Sequence, residues 1–238
     1  MSCFFIAGAT GYTGRALVNQ LIANGQKVVA HIRPNSPSKD ELKPIFEAKG
    51  IIVDLSPWNE FAIADAIKKH AVTHVASLLG TTAAHAKVAA RKGEDASYEA
   101  VERDLTIMLL NAAKEQTPKP RFIFLSAMGA DKPGNRYMRA RTAVETAIFE
   151  SGLSYLIARP AFITGPDRRE FRPLERSAAI VSDGILKLTG WFGGKRFRDS
   201  YQSLNSTKIA AGMAILAMHD SNIIADPYLL RHPENAIS

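Results

Sequence analysis

Short apolar runs alternate with longer amphipathic stretches along the first two thirds of the chain. This is the pattern of a parallel sheet covered by helices on both faces. The runs Cys3–Ala7, Lys27–Ile32, Ile51–Val53, His74–Leu79, Arg121–Leu125 and Ser154–Ala158 read as strands. Helices are predicted between them, near Gly14–Asn24, Lys39–Lys49, Asn59–His70, Tyr98–Glu115 and Arg139–Ser151. Asn24-Gly25 supplies a helix stop, and each interval is long enough for a right-handed crossover. The expected fold is α/β, a Rossmann-type doubly wound parallel sheet.

After Arg159-Pro160 the regularity weakens. An arginine-rich stretch spans Arg168–Arg176, and the apolar Ile180–Phe192 is followed by Lys195, Arg196 and Arg198. A last helix is expected from Ser206 or Thr207 to Met218, with the hydroxyl as its N-cap. A tail of this length is too short for a second domain. Residues 1–238 therefore read as one domain, with 160–238 as a small C-terminal region covering the cleft at the strand ends. The basic stretch is either a solvated face or a lining for phosphates. The apolar-then-basic segment is either a cleft-covering helix or a surface for a membrane or partner.

Chemistry enters at the first strand's end, where Gly8-Ala9-Thr10-Gly11-Tyr12-Thr13-Gly14 leads into an amphipathic helix. A pyrophosphate needs backbone amides at close range, which side chains would block. Glycines open the turn, and the helix behind it offers unpaired N–H groups and a positive dipole end. Strand, glycine turn and helix together predict a dinucleotide site holding Gly8, Thr10, Gly11, Tyr12, Thr13 and Gly14, with Gly14 letting the helix pack on the strand.

The end of the second strand selects between cofactors. An acidic residue there would bind the ribose 2′-hydroxyl of NAD(H) and repel a 2′-phosphate. The sequence instead reads His31-Ile32-Arg33-Pro34, with no acid. The Arg33 guanidinium suits a phosphate and an adenine face, so NADP(H) is favoured over NAD(H). The alternative is that Arg33 is a solvated charge.

The G-x-x-G-x-x-G spacing resembles the short-chain dehydrogenase/reductase superfamily, particularly its atypical branch. Leu79-Gly80-Thr81-Thr82, Glu102-Arg103-Asp104, Leu125-Ser126-Ala127-Met128-Gly129, Arg159-Pro160-Ala161 and Asp167-Arg168-Arg169 narrow the likeness. Over about residues 1–175 the chain is similar to the Tat-interacting-protein-like and NmrA-like proteins, neighbours of the NAD-dependent epimerase/dehydratase-like proteins. The resemblance implies NADPH binding. It places Asp54 and Leu55 beside the adenine, and Leu79, Gly80 and Thr81 where the backbone passes the cofactor. Asp54 alone is equally a turn cap.

The resemblance also implies a catalytic serine, a proton-exchanging tyrosine, and a lysine four residues after the tyrosine that holds the nicotinamide ribose. The matching positions are Ser126, Tyr137 and Arg141. Arg141 departs from the pattern. It keeps a cation on the same helix face and can bond ribose hydroxyls, but it cannot readily lose a proton. Two functions follow from this. One is an NADPH-dependent oxidoreductase acting on a small carbonyl or alcohol substrate. The other is a redox sensor or scaffold in which NADPH binding alters affinity for a protein partner without turnover.

Composition adds exclusions. The net charge of +7 is compatible with nucleic acid or an anionic surface, but no recognition motif or aromatic-interleaved basic groove accompanies it. Six scattered histidines show no metal-ligand spacing, so no metal is expected. The single cysteine, Cys3, rules out an intrachain disulfide. No run resembles a transmembrane span, and the apolar N-terminus reads as a strand, not a leader. The expected location is cytoplasmic.

Overall fold

The computed structural model describes residues 1–132, 134–161, 163–164 and 204–237. Its first half is a series of strand–helix units. β1 (Cys3–Ala7) leads to α1 (Tyr12–Ala23), β2 (Lys27–His31) to α2 (Lys39–Glu47), and β3 (Ile52–Asp54) to α3 (Glu60–Lys69). β4 (His74–Ser77) is followed by α4 (Ala83–Ala90), a π-helical turn (Glu99–Asp104) and α5 (Leu105–Lys114). β5 (Arg121–Leu125), α6 (Arg136–Glu150) and β6 (Tyr155–Ala158) come next. β7 (Ile163–Thr164) pairs with β8 (Leu204–Asn205) in a separate two-stranded sheet. Then α7 (Ser206–Leu216), β9 (Ile223–Ala225), α8 (Pro227–Arg231) and a 3-10 turn (Pro233–Ile237) complete the chain.

The main sheet has seven strands in the order β3-β2-β1-β4-β5-β6-β9, all paired in parallel. Both faces are covered, which is why the strands are apolar throughout and do not alternate. Phe4 and Ile6 point to one side, where Leu17 and Leu21 of α1, Phe46 of α2 and Met213 of α7 meet them. Phe5 and Val29 point to the other, against Ile63 of α3, Leu109 of α5 and Val144 and Ile148 of α6. Burying one such aromatic or branched side chain stabilises by roughly 1.5–3 kcal/mol. This double-sided core fixes the strand ends that carry the site. The expected doubly wound fold is the observed one.

Local details differ from expectation for identifiable reasons. The helix expected over Tyr98–Glu115 divides into the π-helical turn and α5, and the π turn carries Glu102 inward to 1% exposure. α6 begins at Arg136, a turn earlier than expected, because the Asn135 side chain accepts from Met138 N at 3.0 Å. α7 is capped not by the hydroxyl of Ser206 or Thr207 but by Asn205, which accepts from Lys208 N at 2.8 Å. Neither is it the last helix, since α8 follows, capped by Asp226 onto Leu229 N at 2.7 Å. β9 joins the sheet beside β6, and α7 packs into the same core face as α1. Arg168–Arg176, Ile180–Phe192, Lys195, Arg196 and Arg198 lie outside the described residues.

Candidate cofactor and active site

β1 lies between β2 and β4, so the chain leaves in opposite directions on either side of it. In such sheets ligands bind beyond the C-terminal strand ends at this switch point. The glycine turn sits there. Gly8 has φ +83°, and a Cβ on it would stand 2.5 Å from the Leu78 carbonyl oxygen at the end of β4. A side chain at Gly14 would run into the Gly8 carbonyl and come within 3.0 Å of Ala9 Cα. Both obstacles are backbone, so these two positions need glycine for the turn to close on β4 and for α1 to seat on β1.

Gly11 forms the N-cap of α1 and donates to Gly8 O at 3.0 Å, with no side-chain cap. α3, α6, α7 and α8 by contrast each have an Asn or Asp side chain on a first-turn amide. The start of α1 thus has the features a pyrophosphate requires: amides, a dipole end and no competing carboxylate. Thr10 and Tyr12 are half-buried, whereas Thr13 is buried. The residues at the turn fit a dinucleotide.

The neighbouring strand ends extend the groove. Arg33, two residues beyond β2, is exposed, and among the described residues no carboxylate pairs with it. Asp54 accepts from Ser56 N at 3.2 Å and from Ser56 Oγ at 2.9 Å, so it caps the turn after β3. Its Oδ1 also lies 4.0 Å from His31 Nε2. His31 itself is 3% exposed, tilted against Phe5 and Trp58. Burial pulls its pKa down, opposed by the Ser56 carbonyl and Asp54. Leu55 packs against the core. Leu79 and exposed Gly80 follow β4, and Thr81 N donates to Glu102 Oε1 at 3.0 Å.

A second cluster forms where β5 ends. Ser126 is 3% exposed; its backbone N donates to Ala158 O at 2.7 Å and its hydroxyl to Glu145 Oε1 at 2.5 Å. Tyr137 lies in the first turn of α6, half-buried and edge-on to Tyr98 at 5.4 Å. Arg141, one turn later, joins them. Its guanidinium stands 4.9 Å over the Tyr137 ring, donates to the carbonyl of Leu125 and lies 3.0 Å from Glu102 Oε2. Burial works against its charge, but Tyr137 and Glu102 outweigh that and hold it protonated.

The structure therefore sets Arg141 against Tyr137 and the Leu125 carbonyl at the end of β5, with Ser126 the next residue along and its hydroxyl turned to Glu145, and it brings the glycine turn and Leu79–Thr81 together at β1 and β4. Arg33, Asp54 and Leu55 stand along the β2 and β3 ends. Three residues absent from the expected site belong to it. Glu102 pairs with Arg141, and Glu145 takes the Ser126 hydroxyl. Arg159 grips Glu145 through Nε at 3.1 Å and Nη2 at 2.5 Å. Glu145 had a signal in the sequence, four residues after Arg141 on the same helix face. Glu102 had none that spacing reveals, because a π turn aims it.

Fold and glycine turn together define a dinucleotide-binding Rossmann protein. The chain belongs to the NAD(P)H-binding family, whose profile matches residues 8–185, and this bears out the resemblance to the atypical short-chain dehydrogenases. It is 28% identical over 231 residues to NADH dehydrogenase (ubiquinone) 1 alpha subcomplex subunit 9, mitochondrial, of Arabidopsis thaliana. That match covers 96% of this chain but 53% of the plant subunit, so the chain spans about half of that relative's length. It is 27% identical to the mitochondrial protein FMP52 of Coccidioides immitis, over 91% of this chain and 87% of that one.

Among solved structures, UDP-glucose 4-epimerase of Thermus thermophilus in complex with NAD shares the fold. The TM-score is 0.64 at 16% identity, over 97% of this chain and 81% of that one. The corresponding Thermotoga maritima epimerase, solved with UDP-glucose, gives 0.63 at 21%, over 94% and 75%. Among the described residues no helix is long and apolar enough to cross a membrane.

Proposed function

We propose that the protein is an NADP(H)-dependent oxidoreductase acting on a small carbonyl or alcohol substrate. The observation that carries this is the switch-point groove: an uncapped α1 behind a turn that admits only glycine, with an exposed, acid-free Arg33 beside it. The first-turn amides of α1 hold the pyrophosphate and Arg33 the 2′-phosphate. Asp54 and Leu55 border the adenine, and the Leu79-Gly80-Thr81 backbone lines the approach. The nicotinamide, when bound, supplies or takes a hydride. Tyr137 moves the proton at the reacting oxygen, Ser126 contacts that oxygen, and Arg141 holds the phenol and the ribose side of the site.

NADPH oxidation followed by absorbance across aldehydes, ketones and quinones tests the reading. Tyr137→Phe is expected to lower turnover by about 10²–10⁴-fold while leaving NADPH affinity nearly intact. Turnover unchanged by that substitution contradicts the assignment.

One observation favours a second reading, a redox sensor or scaffold that binds NADPH without turnover. Arg141, where the family pattern has lysine, is 6% exposed and faces Glu102, Leu125 and Tyr137. A guanidinium so engaged relays no proton. Bound NADPH that no carbonyl in the panel oxidises selects this reading. The cytoplasmic location belongs with the same proposal, and organelle fractionation tests it against the mitochondrial names of two relatives.

A further inference from the structure

We infer that Glu145 sets the hydrogen-bonding sense of Ser126, making the serine an acceptor toward any ligand and withholding a donor from the reacting oxygen. The inference rests on the oxidoreductase reading of this site. Glu145 is 2% exposed. Its Oε1 accepts the Ser126 hydroxyl at 2.5 Å and Arg159 Nε at 3.1 Å, and its Oε2 accepts Arg159 Nη2 at 2.5 Å. Arg159 also lies 3.5 Å from Asp131. Its hydrogen bond with Glu145 keeps its pKa raised against burial, helped by the charges of Glu145 and Asp131.

A carboxylate gripped through both oxygens by a guanidinium accepts and does not donate. A serine hydroxyl carries one proton, and here the carboxylate takes it. What Ser126 offers a ligand is lone pairs.

The consequence concerns substrate class and rate. A hydroxyl-bearing ligand donates to Ser126 and is bound well. A carbonyl being reduced develops negative charge on oxygen and needs donors, and each well-placed donor is worth about 10²–10³ in rate. Tyr137 then supplies that stabilisation without the serine. The site is built to hold alcohols and to reduce carbonyls slowly, and Glu145 is the positioning residue responsible.

Glu145→Ala tests this directly. An amide would not, since its oxygen would keep the Oε1 place, where both Ser126 and Arg159 Nε donate. Without the carboxylate Ser126 turns its own proton toward the ligand, while Asp131 still pairs with Arg159. The expected result is NADPH-linked carbonyl reduction faster by about tenfold or more, with NADPH affinity little changed. Adding Ser126→Ala should erase the gain. A folded Glu145→Ala protein that binds NADPH and reduces carbonyls no faster overturns the inference.

Should that variant not fold, or the native protein show no turnover, proton NMR of the native chain decides. A buried serine hydroxyl proton held by a carboxylate exchanges slowly enough with water to give a resonance of its own, and Ser126→Ala must remove that signal. Its absence from the native spectrum overturns the inference. Native protein that binds no NADPH refutes the oxidoreductase reading instead, a separate failure.

Discussion

Replacing Arg141 with methionine should destabilise the protein well beyond the loss of a surface charge. The Arg141 and Glu102 side chains are 7% and 2% exposed and meet at 3.0 Å. Removing one partner of a buried pair leaves the other charge without compensation and costs roughly 3–5 kcal/mol. Glu102 keeps the Thr81 amide at 3.0 Å but loses its guanidinium, and so does the Leu125 carbonyl. Adding Glu102→Gln to Arg141→Met removes the buried negative charge and keeps an acceptor for Thr81. The double variant should therefore recover much of the loss, with a coupling of about 2–3 kcal/mol. Equilibrium urea unfolding of the four proteins in this cycle, read by circular dichroism, measures it provided the urea slopes agree. An Arg141→Met cost under about 1 kcal/mol, or additivity within about 0.5 kcal/mol, refutes the pair as a buried strut of the site.

Gly14→Ala should weaken NADPH binding by about tenfold or more and lower stability by roughly 1–3 kcal/mol, because the new methyl meets the backbone of Gly8 and Ala9. Melting curves with and without NADPH read both effects. His74, stacked on Phe4 at 4.3 Å, has a pKa pushed from 6.5 to about 4, chiefly by burial, with the Ala217 carbonyl opposing and Arg121 assisting. The unfolded chain therefore binds a proton that the folded one refuses. Stability should be full above pH 6.5 and decline as the pH falls toward 4, a slope that His74→Gln should flatten in urea titrations at several pH values.

The sheet was legible because its strands are buried on both faces. β1 and β5 have their expected bounds, since Gly8 and Ser126 end apolar runs sharply. β9 was not, for Ile223–Ala225 is three residues among polar neighbours and becomes a strand only through its pairing with β6. The hydroxyls of Ser206 and Thr207 advertised an N-cap, yet Asn205 has the extended backbone and the reach to cap α7. In the site, the glycine turn declared itself by local geometry, as did the Tyr137–Arg141 interval. Glu145 showed its helix face, four residues after Arg141, but not its partner Ser126 at the end of β5. The roles of Glu102 and Arg159 did not show, because each is brought in by tertiary contact: one aimed by a π turn, one from the residue after β6. A motif identifies the groups that touch a ligand. Their protonation and orientation are set largely by such tertiary partners.

The most direct test of the central claim is a fluorescence titration comparing NADPH with NADH, repeated on Arg33→Ala. Arg33 is exposed at the end of β2 with no acid beside it in sequence, and a charge-assisted contact to the 2′-phosphate is worth about 1.5–3 kcal/mol. NADPH should therefore bind at least about tenfold more tightly than NADH, and Arg33→Ala should bring the two together by weakening NADPH alone. Equal affinities in the native protein, or a preference that survives Arg33→Ala, would contradict it.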